Sequence, residues 1–457
     1  MKKLLLVGLM LVLLAFTVAC RDDEETDTPA GPREPVTLRY LNWNLGPEGY
    51  DNVETRMIQA FMDAHDWITV ELVRPDGDYV EFLNAQAAIG QLPDVFMVAD
   101  TAPLLINNWL LDITDMSRAD AEFNRLPAAV RNATTYGDRV FTVPMFQFMQ
   151  GYFVNHTLFD ELNLNRLQFG LTPEQFLQAI RDTTDLTRPV VGVNYTFHMA
   201  LWYPAARNSN LGFFTFDGER YNLDSREMID AVRIATEMNA QGFTFHGIPY
   251  DQRTATFDGG WHGEVFNNGQ IAMRFEGTWF NPSRYDLDFE WDFIGIPGGR
   301  NILILDILGI SANTHAPYEA YLLAKWMGHG DAGFERRMDI AEDMEQAVAS
   351  LPFTNNQALL DRYWASWAGA PGLQAAYRAL DNAIIDGNKI VPGHAQARYH
   401  AYTGIQVAHY ENAPIGGALW GMVHYGSPNF ADHATQINNA ANQAFQAVWE
   451  QLEAALR

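Results

Sequence analysis

The sequence predicts an α/β protein of two sizeable lobes, and three observations carry that expectation. At 457 residues the chain is longer than one hydrophobic core ordinarily organises. It opens with a strand, a helix and a second strand in succession. Further along it holds short, wholly apolar runs of the kind found in sheets covered on both faces.

In chain order, Val36, Leu38 and Tyr40 alternate with Thr37 and Arg39, so a half-buried strand is expected up to Asn42 and Trp43. Met57, Ile58, Phe61 and Met62 recur at helical spacing, and Ile68, Val70 and Leu72 return to period two. Such units build mostly parallel sheets, with ligands beyond the carboxyl ends of the strands. Trp43 stands there, either as a ligand platform or as a lid on the sheet edge. A helix through Phe82, Leu83 and Ala87 stops at Gly90, and LPDVFMVAD follows, with a buried strand from Val95 to Val98 and Asp100 at its carboxyl end. That carboxylate suits ligand hydroxyls and equally suits the cap of the next helix.

Tyr136-Gly137-Asp138 reads as a turn. In RVFTVPMFQFMQGYFVN, Pro144 interrupts a strand-like pattern, which predicts an edge or a crossing between lobes rather than a central strand. Thr172 caps a helix with Pro173 at its first position. Another helix opens at Asn222 to Ser225, faces Met228, Val232, Ala235 and Met238 to one side and closes at Gly242. FNNGQIAMRFEGTW, Phe266 to Trp279, runs from an Asn-Asn-Gly turn through a buried strand to Gly277, Thr278 and Trp279. WDFIGIPGG and ILDILGISANT are further buried strands, and Tyr318 to Met327 is an amphipathic helix. From Gln374 onward the chain reads as mainly helical, with Trp420 in a Gly-rich loop.

Composition narrows the partners. Lys and Arg number 30 against 56 Asp and Glu, a net charge of −26, which argues against nucleic acid and against an anionic membrane surface. Lys2 and Lys3, the apolar run Leu4 to Phe16 and Thr17-Val18-Ala19 form a signal peptide over residues 1–19, too short for a spanning helix of about 20 apolar residues. The single cysteine, Cys20, follows at once, and the small residues before it resemble the lipobox of bacterial lipoproteins, which implies lipid on Cys20. RDDEETDTPAGPREP then reads as a flexible tether, so that 20–35 holds a folded body off a membrane.

The order of LPDVFMVAD, YGDRVFTVP with YFVNHTLFDEL, LTPEQFLQAI, FNNGQIAMRFEGTW, IGIPGG and GISANTHAPYEAYLLAKWM resembles the sugar-binding family of bacterial ABC-importer solute-binding proteins, with KIVPGHAQARYHAY a weaker match. The resemblance implies a two-lobed periplasmic-binding-protein fold of type II, each lobe a mixed sheet flanked by helices, with the ligand cleft between them. It implies discontinuous lobes, 36–144 with 306–351 and 145–305 with 352–457, crossing near Pro144, Leu305 and Leu351. It places Trp43, Asp100, the Phe146 to Phe148 segment and Trp279 in the cleft, with Tyr399 and His400 beside them. It also implies permease subunits as partners and a monomeric, exported protein held at the outer face of the cell membrane.

These residue types suit a sugar. Aromatic rings bury the C–H faces of a pyranose, while Asp, Glu and Gln pair with its hydroxyls. Trp43, Trp202 and Trp279 are candidate platforms, and Asp100, Gln147 and Glu276 candidate edge contacts; Phe148 and Tyr399 join the candidates through the resemblance. Ile271 to Met273 should be sheet core, and Glu276 to Trp279 the part that meets the solute. No catalytic residue, cofactor or metal is expected. A secreted glycan hydrolase would need two carboxylates about 5 to 9.5 Å apart, and no local signature singles out a pair. The 12 histidines include no HExxH. The same fold with a peptide, polyamine or polyol as solute is the other alternative.

Overall fold

The computed structural model describes residues 33–457 except 283, 284, 286, 368, 409 and 410. The expected signal peptide, Cys20 and the tether up to residue 32 lie outside the described residues. Among the described residues no helix is long and apolar enough to cross a membrane.

Eleven strands are formed by the described residues: β1 (Val36–Leu41), β2 (Ile68–Val73), β3 (Val95–Met97), β4 (Thr135–Tyr136), β5 (Arg139–Val140), β6 (Thr142–Asn155), β7 (Val191–Val193), β8 (Ile271–Gly277), β9 (Trp291–Phe293), β10 (Ile302–Ile310) and β11 (Ile384–Ile385). The Tyr136 to Arg139 turn closes the β4–β5 hairpin. The main sheet runs β2-β1-β3-β10-β6-β8-β7, with β11 on β10 and β9 on β6. β1 pairs in parallel with β2 and β3, as the opening strand–helix–strand pattern requires. β10 returns antiparallel between β3 and β6, so the sheet is mixed.

The sequence-derived caps hold. Thr172 and Gln175 form a reciprocal capping box on the Pro173–Asp182 helix, and Ser225 accepts from Met228 N at the start of Arg226–Ala240. Asp78, at the end of Asp76-Gly77-Asp78, caps Tyr79–Ala88 through Val80 N and Glu81 N. Trp420 corrects the expectation of a glycine-rich loop: it lies on the Ile415–Tyr425 helix, which tolerates Gly416 and Gly417 because Ile415, Ala418, Leu419 and Met422 are buried along its inner face.

Pro144 lies in a stretch of β6 with one strand neighbour. β6 pairs with β8 only from Gln150 to Val154, so at Pro144 it pairs with β10 alone, the edge-like position expected for a proline. The ladder shifts register between Asp306 and Ile307, which pair with Phe146 and Pro144. A bulge at this point removes the need for the donor that proline lacks.

The core is built in three clusters. Leu38, Phe61, Phe96, Val143 and Leu308 belong to the first, beneath β1 and β3. Beyond Phe148, β6 alternates: Tyr152 and Val154 enter a second cluster, Met149 and Phe153 a third on the opposite face. β10 makes the same passage, with Leu303 in the first cluster and Ile302 in the second. Leu351 joins them at this point, donating its N–H to the Gln147 carbonyl at 2.9 Å. The last helix, Phe430–Leu456, lies mostly on the second cluster, yet its Leu452 packs in the first.

Candidate functional site

β8 delivers the central feature. Ile271, Ala272 and Met273 are wholly buried, as a sheet interior demands. Two residues past the strand's end Trp279 emerges 39% exposed, on the short 3-10 turn Thr278–Phe280. Its indole folds back over Gly277, where an added Cβ would stand 2.3 Å from the ring's Cζ3. Only glycine permits that approach. The indole Nε1–H donates to Glu276 Oε1 at 2.9 Å, and Arg274 donates to Glu276 Oε2 at 2.8 Å. The Arg274 guanidinium is in turn held 4.0 Å from the Phe280 ring centre. Glu276 therefore orients Trp279; its carboxylate is engaged by protein donors rather than offered to a solute. Phe148 meets the indole edge-on, with ring centres 5.5 Å apart.

Trp279 and Phe148 face a cleft of about 760 Å³ that draws on both halves of the molecule. Trp43, just past β1, lies on the other side, braced edge-to-face by Tyr79 at 5.3 Å. Lys389 Nζ sits 5.1 Å from the Trp43 ring centre and is ion-paired with Asp306 of β10. Asp100 caps the next helix and also stands in the cleft wall. Its Oδ1 accepts from Ala102 N as the cap of Thr101–Ile106, its Oδ2 accepts from Gln396 at 2.7 Å, and it lines the cleft. Burial pushes its carboxyl above the usual range, opposed by these hydrogen bonds.

The third wall comes from the late segment 386–400. The π-helical turn Gln396–His400 presents Arg398, Tyr399 and His400 to the cleft. The Arg398 guanidinium is fixed among the rings of Phe213, Phe214 and Tyr399, at 5.3, 5.4 and 5.0 Å. Asp386, also in the wall, is pushed up by burial and held back by the Arg398 charge. His198 closes the floor, stacked on Phe275 at 4.3 Å; burial, with the Arg398 charge adding, lowers its pKa to about 3, so the ring is neutral.

Of the sequence-predicted residues, Trp43, Asp100, Phe148, Trp279 and Tyr399 thus meet at one cleft. Two do not. Gln147 is 3% exposed, and its Nε2 donates to the Pro352 carbonyl at 2.7 Å, tying β6 to the segment beside it. Trp202 is wholly buried in the second cluster, where its Nε1–H donates to the Tyr152 hydroxyl at 3.2 Å. Glu276 acts behind the wall. Asn44, His198, Asp386, Lys389 and Arg398 were missed by the sequence reading, although KIVPGHAQARYHAY begins at Lys389 and so marked the segment. His262 and His394 are hydrogen-bonded side chains, to the Tyr195 and Tyr221 hydroxyls. Among the described residues no group of His, Cys, Asp and Glu is arranged to hold a metal.

The mixed sheet thus carries an aromatic and polar cleft drawn from segments spread over the chain. The family model for bacterial extracellular solute-binding proteins matches residues 51–328, and the chain belongs to that family. No curated protein matches the chain. Among solved structures, a cyclic alpha-maltosyl-1,6-maltose binding protein from Arthrobacter globiformis aligns over 91% of this chain and 100% of its own, at 17% identity and TM-score 0.64. An ABC substrate-binding protein from Listeria monocytogenes in complex with cycloalternan aligns over 93% and 99%, at 18% identity and TM-score 0.62. A solute-binding protein from Thermotoga lettingae bound with alpha-D-tagatose aligns over 92% and 100%, at 15% and 0.63. At such identities the likeness speaks for the fold.

Proposed function

We propose that this protein captures a carbohydrate for an ABC importer and hands it to the permease, with no chemical step of its own. The observation that carries this reading is the pairing of Trp43, Phe148, Trp279 and Tyr399 rings with polar side chains around one cleft. Rings bury the sugar's C–H faces, and Arg398 and Asp386 answer hydroxyls that must donate and accept. The lobes would be 36–144 with 306–351 and 145–305 with 352–457, the last turns of the C-terminal helix reaching across. Solute held by one lobe gains contacts from the other, which moves the hinge equilibrium toward closure. The solved structures with saccharide-binding names agree in chemistry with this reading.

A thermal-shift screen of the mature protein against mono- and oligosaccharides, peptides and polyamines tests it. A ligand at 100 times its Kd stabilises by about 2.7 kcal/mol. Saccharides should score, and hits confined to cations or peptides would overturn the carbohydrate assignment. The protein would act as an exported monomer, anchored through lipid on Cys20. Cys20→Ser should then shift it from the membrane to the soluble fraction, and unchanged partition would remove the anchor.

A further inference from the structure

A second cavity, of about 390 Å³, adjoins the cleft and shares Asn44, Phe148 and Trp279 with it. Its chemistry repeats that of the cleft. Tyr50, 55% exposed, and Phe146 supply rings, and Gln346 and Asn44 supply amides. Charge in its wall is matched within the protein: Arg337 is ion-paired with Glu54 and lies 4.8 Å over the Phe146 ring. In the cleft Lys389 is likewise matched by Asp306, and the Arg398 charge acts on Asp386 of the same wall. These matched pairs add polarity to the two walls without asking the solute for a counter-charge. A void that served only as clearance for hinge motion would have no need of that aromatic and amide lining.

We infer that the solute is a neutral oligosaccharide that continues past Trp279 into this second cavity. The inference rests on the carbohydrate reading of the cleft. One monosaccharide cannot touch Tyr399 on one side of the indole and Tyr50 and Gln346 on the other. A linear or cyclic chain of three or four units can, with Trp279 as the platform between successive units. The Glu276 and Gly277 arrangement keeps that indole in place between the two spaces.

Calorimetric titration tests this with glucose, tagatose, maltotriose, raffinose and cyclic maltosyl-maltose as probes. The variants are Tyr50→Ala, Gln346→Ala and Ala349→Trp, the last filling the second cavity; their melting curves establish that each is folded. At least one tri- or tetrasaccharide should bind about tenfold or more tighter than either monosaccharide. Each variant should weaken that longer sugar by about fivefold or more and leave any monosaccharide affinity unchanged. Monosaccharides that bind as tightly as the longer sugars, with variants that change nothing, would overturn the second subsite and leave the carbohydrate reading standing. Absence of binding by every saccharide would overturn that reading, and this inference with it.

Discussion

Replacing Trp279 with alanine should weaken saccharide binding about 100-fold, near 3 kcal/mol, while lowering folding stability by less than about 1 kcal/mol. The asymmetry follows from position. The ring is 39% exposed, folds over Gly277 and meets Phe148 edge-on, so its removal opens no core cavity. Gly277→Ala should give a similar loss by another route. The backbone at Gly277, φ −90 and ψ 160, accepts alanine without strain, but the new methyl would occupy the space of the indole. With the ring displaced, adding Trp279→Ala should cost little more, a non-additivity that a double-mutant cycle measures. Affinity unaltered in either single variant would remove Trp279 from the binding surface.

Trp202 should behave in the opposite way. Wholly buried against Tyr152 and Phe176, at ring-centre distances of 6.1 and 5.8 Å, it fills volume that nothing nearby can reclaim. Trp202→Ala should cost about 3–5 kcal/mol in urea unfolding, with the stranded Tyr152 hydroxyl part of that total. Trp202→Phe keeps much of the volume, and its saccharide affinity should equal that of the parent protein. A tenfold weaker affinity in the phenylalanine variant, at unchanged stability, would return Trp202 to the cleft.

The contrast between these two tryptophans shows what was legible in the chain. Local physics was readable: the alternation in β1, the helical spacing after Asn52, the Thr172 and Ser225 caps, and the apolar core of β8 all depend on neighbours a few residues away. Trp279 was readable because a glycine beside it relieved the turn. Trp202 was misread because a tryptophan two residues before a proline looks the same in a core helix as in a binding loop. Gln147 was misread because its partner, Pro352, is some two hundred positions away. Pro144 was readable as unfit for a strand with two neighbours, and β6 pairs there with β10 alone. Lys389, Asp386 and Arg398 resembled ordinary surface charge, since no apolar period marks the turn that carries them and the rings that fix Arg398 include Phe213 and Phe214.

The long-range composition of the cleft has a consequence for how the protein is made. Trp43 lies near the start of the chain and Tyr399 near its end, and β10 is inserted between β3 and β6, strands far earlier in sequence. Such pairings require closure of long loops before they are rewarded, which slows folding. A chain that ends before the wall bearing Lys389, Arg398 and Tyr399 has only part of the cleft. The cleft is therefore complete only once the last segment has joined the fold, and shortened chains should lack it.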